Sequence, residues 1–237
     1  MPGLGTIVNM IVVIAGGLLG LAFGRFFTEG LQDSLVKACG VSSFLIGVGG
    51  VMARMLTVTQ GSLDTQGSMM MIISLLIGTL IGALLKIEDG IEHFGEWLKK
   101  KTGNSGNARF VEGFLNASLT MCVGAMAVIG SIEDGINADH SILFAKSVLD
   151  CIIVIAMTSS MGIGCLFSFV SIALFQGGIT LLSRFLQPVM TAAALANLSY
   201  VGSAMIMCVG INLIFGKKIR VANMLPGLVI AVIFAFF

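Results

Sequence analysis

The chain has 237 residues, 57% of them hydrophobic and 11% charged, with a formal net charge of +1 and a mean hydropathy of +1.04. A soluble domain keeps roughly a quarter of its residues charged, so this composition excludes water as the only solvent. The small net charge, with basic residues scattered between apolar runs and no interleaved aromatics, excludes a nucleic-acid surface.

Apolar runs that approach or exceed the length needed to cross about 30 Å of hydrocarbon predict helices over 5–24, 39–57, 68–86, 110–130, 147–174, 189–215 and 223–237. The fold class expected is an all-α integral membrane protein of about seven spans in a single transmembrane domain. Lipid offers no partner to an open backbone, and the runs are too long for barrel strands. The first run lacks a basic leader and a small-x-small cleavage site, so it reads as a retained helix. The second is interrupted by Gly47, Gly49 and Gly50, and the fifth is long enough to tilt or to break at Gly162 and Gly164.

Residues 86–101 place Ile87, Ile91, Phe94 and Leu98 about one helical turn apart, with charges opposite and Trp97 near the end. That pattern fits a helix lying in the membrane interface or one packed on other protein. The triplets Glu88-Asp89-Gly90 and Glu133-Asp134-Gly135 read as turn chemistry at helix ends. Cys39, Cys122, Cys151, Cys165 and Cys208 lie in apolar stretches without a repeated close pair, and the methionines are spread as gap-fillers. Neither a metal site nor a cofactor is expected. No phosphate loop, His-Glu-x-x-His or nucleophile elbow is present, so no enzyme is expected.

Internal repetition organises the chain. Gly16 and Gly20 precede Gly30-Leu31, Gly78 and Gly82 precede Gly90-Ile91, and Gly164 and Ser168 precede Gly178-Ile179. Each set leads to a helix holding Val48-Gly49, Val123-Gly124 or Val209-Gly210. The expected units are helix–interfacial segment–helix over 5–60, 68–137 and 147–222, all running the same way, with a closing helix at 223–237. The spacings Gly16-Gly20-Gly24 and Gly78-Gly82, together with Gly164, suit close helix packing, within the chain or in a homo-oligomer assembled through these faces.

Lys86, Lys99, Lys100, Lys101 and Arg109, with Arg25, Lys37 and Arg184 assigned to the same side, favour an outside N-terminus and a cytoplasmic C-terminus in a bacterial inner membrane. Lys217, Lys218 and Arg220 oppose that assignment.

Polar groups at membrane depth are the candidate pathway, because a central carboxylate costs about 2.5–3.5 kcal/mol to insert. Glu112, Asn116 and Thr120 fall one turn apart on one helix face. Lys146 and Asp150 are likewise one turn apart, and Ser160, Gly164, Ser168 and Gln176 form a lightly polar face. Asn197, Ser199, Tyr200 and Asn212 add hydrogen-bonding groups, with Tyr200 read as an interfacial anchor.

The stretch Gly124-Ala125-Met126-Ala127-Val128-Ile129-Gly130-Ser131-Ile132-Glu133-Asp134-Gly135 is accompanied by Lys146-Ser147-Val148-Leu149-Asp150, Phe175-Gln176-Gly177-Gly178 and Cys208-Val209-Gly210-Ile211-Asn212-Leu213. Together they resemble the YqgA/YdfK-like bacterial membrane proteins, a domain of unknown function, over essentially the whole chain. Cys151 stands where the resemblance leads one to expect glycine. The resemblance implies a multi-pass membrane protein, in some members labelled a transporter, and carries over no site residues. Polar residues and repeats lead to the expectation of a transporter or channel for a small solute or ion, with Glu112, Asn116, Thr120, Lys146, Asp150, Gln176 and Asn197 along the route. The alternative is a non-transporting oligomeric scaffold or sensor, in which these groups knit helices together.

Overall fold

The computed structural model describes residues 1–59, 62–122 and 125–236. The chain runs through α1 (Leu4–Gly24), α2 (Glu29–Met55), a hairpin of β1 (Leu56–Thr59) and β2 (Ser62–Thr65), α3 (Ser68–Leu84) and α4 (Ile87–Lys101). It continues through α5 (Phe110–Cys122), α6 (Ala125–Ile136), α7 (Ser141–Met161), α8 (Ser168–Leu186), α9 (Ala192–Phe215), a 3-10 turn at Val221–Met224 and α10 (Pro226–Ile233). Among the described residues, five helices (α1, α2, α7, α8 and α9) are long and apolar enough to cross a membrane, and up to seven candidate spans result if the bent pairs α3–α4 and α5–α6 each count once.

Several boundaries differ from the sequence reading. The helix expected at 39–57 starts at Glu29 and runs unbroken through Gly47, Gly49 and Gly50. The run expected at 147–174 breaks at Gly162 (φ 87), one of the places where a break was expected, but its second part, α8, continues to Leu186 and carries Gln176 at mid-helix rather than beyond a helix end. The closing helix at 223–237 is shorter than expected: α10 has eight residues, about 12 Å long. β1 and β2 pair antiparallel, Leu56 with Thr65 and Thr59 with Ser62, where the sequence reading ends a helix at 57 and leaves the following residues as a connection.

Small and polar side chains face inward on α1, where Gly5, Thr6, Asn9, Val13, Gly16, Gly17 and Gly20 are buried. Ile7, Ile11, Leu18 and Leu19 are exposed on its other side. Lipid does not drive apolar surfaces together, so close backbone approach and dispersion do. A Cβ on Gly16 would stand 2.8 Å from Val154, on Gly20 2.6 Å from the Ile155 carbonyl, and on Gly24 2.7 Å from the Ser159 carbonyl. These glycines are therefore occupied within the chain, and so are Gly78 and Gly82 against Gly227 and Asn223, and Gly164 against Phe110. The glycine faces are not free for the oligomer contact expected of them.

The contacts fix helix directions. Gly5 lies by Leu143 and Gly24 by Ser159, so α1 and α7 run parallel. Thr6 meets Thr180 and Asn9 meets Gln176, so α8 runs opposite to α1. Gly40 packs on Gly210 and Gly50 on Ser203, so α2 and α9 are antiparallel. The helices holding Val48-Gly49 and Val209-Gly210 thus run in opposite senses, which removes the same-sense arrangement expected of those motifs; Val123-Gly124 lies outside the described residues.

One face of the bundle carries α4, the loop 102–109, the break 162–167 and the turn after α9; the opposite face carries the N-terminus and the hairpin. Of the 13 Lys and Arg residues, Arg25, Lys37, Lys86, Lys99, Lys100, Lys101, Arg109, Lys217, Lys218 and Arg220 belong to the α4 side. Arg184 moves to the opposite face because α8 is a separate helix running opposite to α1, and the same reversal brings Lys217, Lys218 and Arg220 to the α4 side. The C-terminal run is antiparallel to α3, with Asn223 by Gly82 and Gly227 by Gly78, so it leads away from that side.

Candidate functional site

The buried polar groups of the bundle gather around α7. Asp150 stands near the middle of that helix, about 14 Å from its start at 1.5 Å per residue. Its Oδ2 receives the Lys146 ammonium one turn earlier and the Asn9 amide of α1 at 3.0 Å. Asn9 also donates to Gln176 Oε1 of α8 at 3.3 Å. Lys146 and Asp150 are 7% and 3% exposed, and Asn9 and Gln176 are fully buried. Asn9 Oδ1 and Gln176 Nε2 have no hydrogen-bond partner among the described residues. An acceptor and a donor are thus left open beside a buried ion pair, where each unpaired group is expensive.

A polar ladder leads from this cluster to the N-terminal face. Thr6 and Thr180 hydroxyls meet at 3.4 Å. Asp134 of α6, fully buried, accepts from Gly3 N at 3.1 Å, Thr6 N at 3.4 Å and His140 Nδ1 at 2.7 Å. Gly3 supplies no side-chain cap to α1, so the Asp134 carboxylate takes that role against the free amides and the helix dipole.

On the α4 side a second polar centre is built the same way. Glu88 N donates to Asn223 Oδ1 at 2.9 Å, and Glu88 Oε2 accepts from Ala222 N at 3.2 Å. Lys217 Nζ reaches Glu88 Oε1 at 2.7 Å and also pairs with Glu92, while Arg220 pairs with Asp89 at 3.2 Å. Asn212 closes the turn by accepting from Lys218 N and Ile219 N, each at 2.9 Å. The two acidic triplets are therefore helical anchors, not turns. In each, one carboxylate is buried and holds the backbone of a distant segment. The other face of α4 rests on α5, with Phe94 and Phe114 ring centroids 6.0 Å apart.

Partial burial pulls the Lys217 ammonium down, but hydrogen bonds and charge from Glu88 and Glu92 outweigh it and leave the pKa raised. A raised pKa means stabilisation that is full below the ordinary lysine value and lost as pH rises through the shifted one. Glu88→Ala is expected to lower stability by about 1–3 kcal/mol, because it leaves the Ala222 amide unsatisfied. Limited proteolysis at Lys99–Lys101 should accelerate in that variant, and in the unmodified chain only at strongly alkaline pH.

The predicted pathway residues do not converge on one place. Lys146, Asp150 and Gln176 join Asn9 in the core. Glu112 and Asn116 border a cavity of about 410 Å³ with Glu88, Glu92, Asn212 and Lys217. Asn116 is 8% exposed. Thr120 is turned back onto the Asn116 carbonyl at 2.7 Å. Asn197 donates to Ala231 O at 3.1 Å and ties α9 to α10. Ser160, Gly164, Ser168 and Gln176 do not share a helix face, since the chain breaks between them. Tyr200 is 2% exposed, its hydroxyl has no partner, and it is buried rather than interfacial. Sequence reasoning missed Asn9, Thr6, Asp134 and Glu88. Asn9, a lone amide in an apolar run, was the available signal.

Apolar outward faces, buried polar contacts and five to seven candidate spans define a multi-pass helical membrane protein in contact with the lipid bilayer. Residues 4–236 match the family described as "Protein of unknown function (DUF554)", and the chain belongs to that family. It is 26% identical over 232 residues to the uncharacterized membrane protein YdfK of Bacillus subtilis (strain 168), covering 98% of this chain and 95% of the relative. It is 25% identical over 235 residues to the uncharacterized protein YqgA of Escherichia coli (strain K12), covering 96% and 94%. No solved structure matches the chain.

Proposed function

We propose that the chain is a membrane transporter or channel for a small solute or ion. The observation that carries this reading is the Lys146–Asp150 pair at mid-helix, with Asn9 and Gln176 each keeping one buried polar atom unpartnered. Ionisable groups at membrane depth mark ion and solute routes by default. The cavity bordered by Glu112 and Asn116 supplies a polar vestibule on the α4 side. Ten basic residues on that side favour placing it in the cytoplasm, with the N-terminus outside. The C-terminal run then heads outward instead of ending in the cytoplasm.

Like senses of α1, α3 and α7 support the repeat reading for the first helix of each unit alone. An apolar cleft of about 1000 Å³ bordered by Phe114, Leu198, Leu228 and Val232 supports homo-oligomer assembly there rather than at the glycine faces. A non-transporting scaffold or sensor is the second reading, favoured by the purely structural bonds of Thr120 and Asn197.

Flux into proteoliposomes, screened over ions, organic acids and amino acids, tests the proposal. Asp150→Asn and Asn116→Ala are each expected to slow flux roughly tenfold, the equivalent of one charge-assisted hydrogen bond, whereas Thr120→Val leaves it unchanged. Unaltered flux in both variants would overturn the site assignment. Absence of flux for every solute transfers the weight to the scaffold.

A further inference from the structure

We propose that the chain holds a phosphate-type oxyanion on its α4 side, in a cavity of about 390 Å³ between the ends of α1 and α7 and the start of α5. The inference is independent of transport. Arg25 and Arg109 border the cavity, and among the described side chains, which do not include that of Glu29, no carboxylate does. Neither arginine has an acidic partner among those described side chains.

The remaining donors are arranged around the same space. Asn107 accepts from Arg109 N through Oδ1 at 3.1 Å, which leaves its amide NH₂ to donate. Thr158 borders the cavity, is 1% exposed, and its hydroxyl has no partner. Hydroxyls on a helix usually bond back to a carbonyl of the preceding turn. Ser159 and Ser160 do so, donating to Ala156 O at 2.8 and 2.7 Å, so Thr158 departs from its neighbours. Gln32 Nε2 donates to Gly24 O at 3.2 Å and Phe27 O at 3.3 Å, covering carbonyls at the end of α1 that would otherwise repel an anion.

Two guanidinium groups, an amide and a buried threonine border the same space. Planar carboxylate oxygens fill such a set poorly, while a tetrahedral oxyanion with bidentate arginine contacts fills it well. The volume leaves room for a substituent on the phosphate. At the membrane border, the same chemistry arises from an anionic lipid headgroup or from a free phosphate.

The experiment uses the full chain in two forms: in neutral detergent titrated with inorganic phosphate at constant ionic strength, and in nanodiscs of phosphatidylcholine with or without phosphatidylglycerol. Thermal unfolding is read in each. A saturable rise with inorganic phosphate assigns the site to a free anion. A rise with phosphatidylglycerol alone assigns it to a headgroup. In either case Arg25→Gln and Arg109→Gln should each weaken the dependence about tenfold, and Arg54→Gln on the opposite face should not. Thr158→Val, nearly isosteric, should weaken it without lowering the unfolding temperature of ligand-free protein, which keeps the test open if the arginine variants fold poorly. No saturable dependence on either ligand, or one that persists when both arginines are replaced, overturns the proposal. So does a double variant that only lowers ligand-free stability, since the arginines then merely complement the helix ends.

Discussion

Asp150→Ala is expected to destabilise the protein by about 3–5 kcal/mol, the range for breaking a buried ion pair from one side. The loss exceeds that of one hydrogen bond because two groups, one of them charged, depend on this carboxylate. Lys146 would keep an ammonium that is 7% exposed with no counter-charge, inside a span where no water replaces it. Asn9 would lose its 3.0 Å acceptor and so its main tie from α1 to α7. Replacing both ends of the pair by apolar residues, as in Lys146→Met with Asp150→Leu, should restore most of the stability, since no charge is then stranded. Unfolding of the purified variants in detergent reads both effects. A single variant as stable as the unmodified chain would mean that the pair is not buried as described. The double variant also separates the two functional readings. If it folds and has lost flux, the pair acts in transport; if it folds and keeps flux, the pair only joins helices.

Much of this bundle was legible, because insertion into lipid selects for length and apolarity, and both are local properties of sequence. The i, i+4 spacing of Lys146 and Asp150 was legible for the same reason. Span parity was not. Read from the sequence, the apolar run ends at 174, just ahead of Gln176, Gly177 and Gly178. In the fold Gln176 is fully buried and engaged by Asn9, 167 residues away. That contact gives the buried amide a partner inside α8, and no local pattern announces it. Missing α8 reversed the side assigned to every later charge, which is why Lys217, Lys218 and Arg220 appeared to contradict the other basic residues. The hairpin was a different kind of miss. Leu56-Thr57-Val58-Thr59 and Ser62-Leu63-Asp64-Thr65 flank Gln60-Gly61, which lie outside the described residues, and short runs with β-branched residues bounded by glycine and serine are a strand signal. The buried roles of Glu88 and Asp134 were hidden behind a plausible turn reading of their triplets. A carboxylate that serves another segment's backbone is identified only once that segment is in place.

Gly82→Ala and Gly164→Ala are each expected to cost about 1–3 kcal/mol, as overpacking does, whereas Gly90→Ala should be neutral or stabilise by about 0.5–1 kcal/mol through helix propensity. A Cβ on Gly82 would overlap the Asn223 carbonyl oxygen, and one on Gly164 the Phe110 carbonyl oxygen. Both obstacles are backbone atoms of a neighbouring segment, so no side-chain rotation relieves them. At Gly90 nothing lies within 4 Å. The consequences should extend beyond stability in a direction the structure sets. Displacing Asn223 removes the acceptor held by Glu88 N at 2.9 Å, so Gly82→Ala should also release α4 and speed cleavage at Lys99–Lys101. Displacing Phe110 moves the start of α5, and with it Arg109, while leaving the α4 clamp in place. Gly164→Ala should therefore lower stability without that proteolytic signature. If the two variants loosen α4 equally, these glycines act through general helix weakening and not through the backbone contacts assigned to them.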